Sequence, residues 1–217
     1  MSDSVSYCDA KEILGDRIIG IDEITRMSSL EMNPFTKSDL RLSFDIPDDS
    51  LVVPFSKREL EEKKQDYLLI LGCSHFNDGL DVTIRSLRNI FGLTPYQSEP
   101  CFYNQDWYEN ESFIDAPMSD GWFFIRERVF EASRAVMPSE LVKSYTFPSA
   151  VTCTYSFFLV WLTMGIVLWP HDFVWCNDRD HNGDCIYVGR YYDSQGINKN
   201  GFNIHRHLSI TKFFGSI

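Results

Sequence analysis

The alternation of apolar and polar positions changes period several times along the chain, and each change marks an element. Ile21, Ile24 and Met27 recur at helical spacing before Asn33-Pro34 breaks the run, and Asp9 stands where it would cap a short helix ending at Gly15. Leu40, Leu42, Phe44 and Ile46 then alternate with Arg41, Ser43 and Asp45, which predicts a strand closed by Pro47. Ser56 and Glu59 have the spacing of a capping box, so a helix is expected to about Gln65. Tyr67 to Gly72 is a continuous apolar run of strand length, as a central strand buried on both faces requires. Ile84, Leu87 and Phe91 mark the inward face of a helix closed by Gly92, and Trp122 to Arg126 reads as another strand. Between them, residues 93–120 combine prolines with aromatic clusters and predict a long irregular stretch.

The last third is different in kind. No charged residue occurs from Ser144 to Pro170, and Val151, Tyr155, Phe158, Leu159 and Leu162 fall at helical spacing after a capping Ser149. This apolar run approaches the ~20 residues that span a bilayer. Hydroxyls at Thr152, Thr154, Ser156 and Thr163, the break at Gly165 and the lack of an adjacent Lys/Arg cluster instead predict a buried core helix. Two aromatic-rich β-forming runs follow around Asn182-Gly183, a pair that tolerates the positive φ of a tight turn, so residues 173–192 are expected to form a hairpin. The fold class is therefore α+β: a single domain over residues 51–217 with an N-terminal helical extension over 1–50, and one long buried helix packed on an antiparallel C-terminal sheet.

Composition narrows the partners. With 44% hydrophobic and 15% aromatic residues in 217, the chain has the material for a core and is not a disordered one. A net charge of −11 works against nucleic acid and anionic membrane, because both require a basic face. The six cysteines, at 8, 73, 101, 153, 176 and 185, include no CxxC and no zinc-ribbon spacing. The first residues lack the basic and apolar regions of a signal peptide, so the expected location is cytoplasmic, with reduced thiols.

Three patterns carry candidate chemistry. Asp178, Asp180, Asn182 and Asp184 place oxygen ligands at alternate positions around Gly183, and Ca²⁺ is the cation such a loop would take. An EF-hand would need a bidentate Glu where Gly189 stands, and the competing reading is a plain hairpin tip with solvated acids. His205 and His207 share one side at strand spacing and would hold Zn²⁺ if Asp172, His171 or a cysteine added ligands; a surface strand is the alternative. Cys73-Ser74-His75, at the end of the apolar strand, offers a nucleophile beside a base, although neighbours along an extended chain point to opposite faces. Trp107, Tyr108, Arg190 and Tyr191 would form an aromatic ligand platform with a guanidinium for an anion or a ring face.

The order VPFSKREL, YLLILG, DWYENESF, GWFFIRE, FPSAVTCTYSFFL and DRDHNGDCIYVGRYYDSQGIN resembles a family of uncharacterised bacterial proteins over about residues 54–210. That resemblance implies no reaction and brings no catalytic residue. Gly189, Arg190, Gly201, Phe202 and Arg206 are loosely similar to the closing strands of C-type-lectin-like modules. The expected function is a binding or interaction protein with a protein or glycan partner. The alternative is a metal-dependent hydrolase using Asp172, Asp178, Asp180, His205 or His207.

Overall fold

In a computed structural model of the chain, residues 4–190 and 200–206 and the backbone of 214–215 are described. The protein is built around one helix shared by two sheets. This helix, α6, is the sixth of the described residues and spans Ala150–Met164. The Ser149 hydroxyl accepts the Thr152 amide at 3.1 Å to start it, and Gly165 in the left-handed region (φ 69°) ends it. Almost every side chain from Ala150 to Leu162 is buried, because α6 is covered on opposite sides. At 15 residues it falls short of a bilayer, and no helix among the described residues is long and apolar enough to cross a membrane.

The first sheet contains β2 (Ile18–Ile19), β4 (Tyr67–Gly72) and β5 (Gly121–Arg126), in the order β2-β4-β5, with β2 parallel and β5 antiparallel to the central strand. The Tyr155 hydroxyl of α6 donates to the Leu71 carbonyl at 2.9 Å and fastens the helix to this sheet. The second sheet has the order β8-β7-β6-β9, with β6 at Phe173–Arg179, β7 at Cys185–Arg190, β8 at Phe202–His205 and β9 at Phe214–Gly215. Strands β6, β7 and β8 are antiparallel, and β9 adds to β6 in parallel. Phe157 and Phe158 of α6 meet Phe202 of β8 at ring-centroid separations of 4.7 and 5.9 Å. One apolar core thus runs from β4 through α6 to β8. The α+β class and the antiparallel hairpin sheet packed with a long buried helix are as the sequence predicts.

Residues 4–50 are woven into the same core. A short β1 (Val5–Ser6) pairs with β3 (Val52–Val53), β2 pairs with β4, and helices α1 (Tyr7–Leu14) and α2 (Ile21–Ser28) bury Ala10, Leu14, Ile24 and Met27. Two local expectations change. Ser6, not Asp9, caps α1: its hydroxyl accepts the Asp9 amide at 3.1 Å, which puts the helix start a turn earlier. Residues 40–46 keep the alternation, with Leu40, Leu42 and Phe44 buried and Arg41 and Asp45 exposed, but form only an isolated bridge, Phe44 to Phe76. Period-two burial records which face lies inward and does not require a ladder.

The remaining helices are α3 (Lys57–Lys63), started by the Ser56–Glu59 capping box, α4 (Ile84–Phe91) and the short α5 (Pro138–Leu141). Helix α4 lies on α6, with the Phe91 and Phe158 rings stacked at 3.9 Å.

Candidate functional site

The tip of the β6–β7 hairpin draws together Glu111, Asp180, His181 and Arg206. Asp180 Oδ1 accepts the amides of Asn182 and Asp184 at 2.9 and 2.8 Å, while Gly183 (φ 85°) closes the turn through an amide bond to the Asp180 carbonyl. The other oxygen, Oδ2, accepts Arg206 at 2.9 Å. Burial pushes the Asp180 carboxyl upward, but the two amides and Arg206 outweigh it and hold the group below the ordinary carboxylate value. Glu111 joins from the irregular stretch, accepting the His181 amide at 3.0 Å and bonding its Nδ1 at 2.6 Å. Arg206 lies 3.5 Å from Glu111 and 4.7 Å above the Trp107 ring, whose Nε1 donates to the Ile204 carbonyl.

Glu111, Asp180 and His181 are the one set of acids, histidines and cysteines among the described residues that brings three potential metal-ligating atoms within 4.8 Å of one another. One guanidinium, Arg206, already stands against both carboxylates there and offsets part of their charge. The four oxygen donors expected to surround Ca²⁺ do not gather into such a set. Asp178 Oδ2 turns away to accept the Ala150 amide at the start of α6, at 2.5 Å, where burial raises its pKa. Asn182 is exposed, and Asp184 supplies its amide and carbonyl to Asp180.

The other expected groups are also engaged apart. Asp172 forms a two-pronged bond with Arg134 at 2.6 and 3.0 Å. His205 stacks on Tyr187 at 5.6 Å beside Phe173 and Gln105, and burial pushes its pKa down to about 4. Arg190 holds Glu99 through two bonds of 2.8 and 2.6 Å. Tyr108 is fully buried with Arg88 over its ring at 5.3 Å, and Trp107 is half-buried beneath Arg206, so these rings form no open platform. Tyr191 and His207 lie outside the described residues.

A second gathering stands where β4 ends. Residues 74–82 fold into a tight ribbon: Val82 donates its amide to the Ser74 carbonyl at 2.8 Å, Phe76 to Leu80 at 2.9 Å, and His75 faces Asp81. His75 Nδ1 lies 2.6 Å from Ser74 Oγ and its Nε2 lies 3.1 Å from Asp81. Asp120, next to β5, accepts the Ser74 amide at 2.6 Å and also lies 2.9 Å from its hydroxyl. His75 and Asp81 are about half exposed, at 49 and 56%. Cys73 is fully buried, and burial pushes its thiol up to about 12, so it has no thiolate to offer at neutral pH. Of Cys73, Ser74 and His75, the structure brings only the last two into contact. The Asp78-Gly79 turn at the ribbon's centre was the signal that would have set His75 opposite Asp81.

Two openings flank this ribbon. A cleft of 960 Å³ separates α2 from α4, with Arg41, Asn77 and Asn89 at its polar rim and Leu42 and Phe76 in its floor. A groove of 610 Å³ runs along β5 between Asp120 to Ile125 and the segment 144–148. The main chain of β5 sets what the groove presents. The Glu127 amide donates to Asp66 at 3.3 Å, in register with the β4–β5 ladder, so Gly121, Phe123 and Ile125 spend their backbone groups on β4. Those of Trp122 and Phe124 point the other way and have no hydrogen-bond partner among the described residues. Comparison with family models, curated proteins and solved structures finds no match.

Proposed function

We propose that the protein is an interaction protein that takes up an extended segment of a partner polypeptide along the edge of β5. The observation that carries this reading is the pair of outward N–H and C=O sets at Trp122 and Phe124, opening into the 610 Å³ groove. Such sets recur about every 6.8 Å along a strand, and another extended main chain presents matching donors and acceptors at the same repeat. The groove supplies apolar side walls from Phe123 and Phe147, with hydroxyls of Ser144 and Thr152 between them. Backbone pairing would give the affinity, and alternate side chains entering between Phe123 and Phe147 would give the selection. An edge left open in this way is otherwise a liability for a sheet, which proteins usually blunt with charge, proline or a bulge.

The test is a titration of isotopically labelled protein with a library of short peptides alternating β-branched and polar residues. Binding should move the Trp122 and Phe124 amide resonances and slow their hydrogen exchange. The same peptides N-methylated along one edge should fail to bind, and Phe123→Lys should weaken binding at least about tenfold by placing a charge in the groove. Binding that spares Trp122 and Phe124, or that survives N-methylation of each edge in turn, would overturn the reading.

A further inference from the structure

The ribbon after β4 holds a nucleophile, a base and an orienting acid in one hydrogen-bonded line, and neither the core nor the β5 groove makes use of it. We infer that Ser74, His75 and Asp81 form a hydrolytic relay with Ser74 Oγ as nucleophile and activated carboxylic esters as the substrate class.

The order of protons follows from the geometry. With the His75 Nε2 proton directed at Asp81, 3.1 Å away, the lone pair of Nδ1 faces Ser74 Oγ at 2.6 Å and accepts its proton. On attack, the Oγ–carbonyl carbon bond forms as the carbonyl π pair moves onto its oxygen and the Ser74 proton passes to Nδ1, and collapse of that oxyanion restores the C=O bond. The imidazolium is stabilised by Asp81, and the departing alkoxide takes the proton from Nδ1 as the ester C–O bond breaks. Water then adds to the acyl-serine with His75 as base, releasing the carboxylic acid and restoring the hydroxyl. Activated esters ask least of the surroundings, because their leaving oxygen is weakly basic and its bond to carbon breaks readily.

The support beneath the relay is rigid. Phe76, between the ribbon and the core, is buried against Phe44 with rings stacked at 5.2 Å, and the main chain of residues 43–45 bonds both His75 and Asn77. This holds the three side chains on structured backbone rather than on a free loop. Asp120 has a double effect. Its Oδ1 fixes the Ser74 amide at 2.6 Å, while Oδ2, 2.9 Å from the hydroxyl, competes with His75 for the same proton. Asp81 acts only through the imidazole and is a positioning residue.

The experiment uses the full chain with a fluorophosphonate probe and p-nitrophenyl acetate, and locates the modification by peptide mass spectrometry. The expected result is a phosphonylated Ser74, and acetate release that falls at least about tenfold in Ser74→Ala and His75→Gln. Asp81→Asn should lower the rate less and alter its pH profile, and Asp120→Asn should raise labelling by removing the competing acceptor. Thermal midpoints measured alongside should stay close to the wild-type value, since His75, Asp81 and Asp120 are exposed and Ser74 is only partly buried. A Ser74 that is labelled no more than other surface serines overturns the assignment. So does labelling lost in Asp120→Asn but kept in His75→Gln, which would make Asp120 the base.

Discussion

The hairpin tip and the ribbon after β4 use the same kinds of groups at the same kinds of distance, yet they are opposite in character. At the tip, Glu111 and Asp180 are buried, and each meets a cation, Arg206, together with backbone amides. At the ribbon, Ser74, His75, Asp81 and Asp120 bond in one line, with Ser74 partly and the other three well exposed, and among the described residues no lysine or arginine closes the set. Burial explains the difference. A carboxylate removed from water must be repaid in full by fixed partners, so a buried cluster ends with no unspent valence. An exposed one keeps its groups available to a ligand. Charge density in the sequence pointed to the tip, whereas accessible chemistry lies at the ribbon.

The largest effect that separates the two regions is on stability. Asp180→Ala leaves Arg206 facing Glu111 without its closer partner and strips the turn of its two amide bonds. Breaking a buried pair from one side costs about 3–5 kcal/mol. In a chain of this length, that lowers the thermal midpoint by roughly 10 °C or more. Chemical denaturation of Asp180→Ala beside Ser74→Ala measures both regions at once. A loss at Asp180 no greater than at Ser74 would break the comparison, because the tip would then not be the closed, stabilising cluster described here.

A smaller effect, on pH dependence, sets the tip against His205 of β8. The His205 pKa falls from 6.5 to about 4 through burial, so between those values the unfolded chain binds the proton and the folded chain does not. Stability is therefore complete above about 6.5 and falls as pH drops toward 4, by up to about 3 kcal/mol. The Asp180 contribution has a different window. Its folded pKa lies below the ordinary 3.8, so that stability is present above the ordinary value and is lost only as pH falls through the depressed one. His205→Gln should flatten unfolding free energy against pH in the upper window and leave the lower one intact. An unchanged slope between 6.5 and 4 in that variant would move the acid sensitivity to another group.

Much of the architecture was legible because local periodicity reports which side of an element faces inward. Val151, Tyr155, Phe158, Leu159 and Leu162 marked α6, and Asn182-Gly183 marked the hairpin, since both signals lie within a few residues of one another. The alternation at Leu40, Leu42 and Phe44 gave the buried face correctly but not the pairing, which depends on what lies opposite. The partners of the charged groups were illegible for the same reason. Glu111 and His181 are 70 residues apart, Ser74 and Asp120 are 46 apart, and Arg190 and Glu99 are 91 apart. No spacing rule reaches across such intervals, so Arg190 read as a free guanidinium and Asp180 as a solvated acid. His75 and Asp81 were within reach, because six positions around an Asp-Gly turn make a cross-strand pair.

The smallest effect expected is that of calcium, and it tests the closed state of the tip most directly. Ca²⁺ takes six to eight oxygen ligands, and a loop of this kind needs carboxylates among them that are not already held by other partners. To join, Asp180 would have to release two amides and Arg206, and Asp178 would have to leave the first turn of α6. Each release exposes a group whose partner is lost, so binding would begin from a deficit of several hydrogen bonds. Millimolar Ca²⁺ is therefore expected to shift the thermal midpoint by less than about 1 °C, since a ligand stabilises only as RT ln(1 + [L]/Kd). A clear rise that disappears in Asp180→Asn would show that Arg206 yields its place to a cation, and the tip would then belong with the ribbon as an open site.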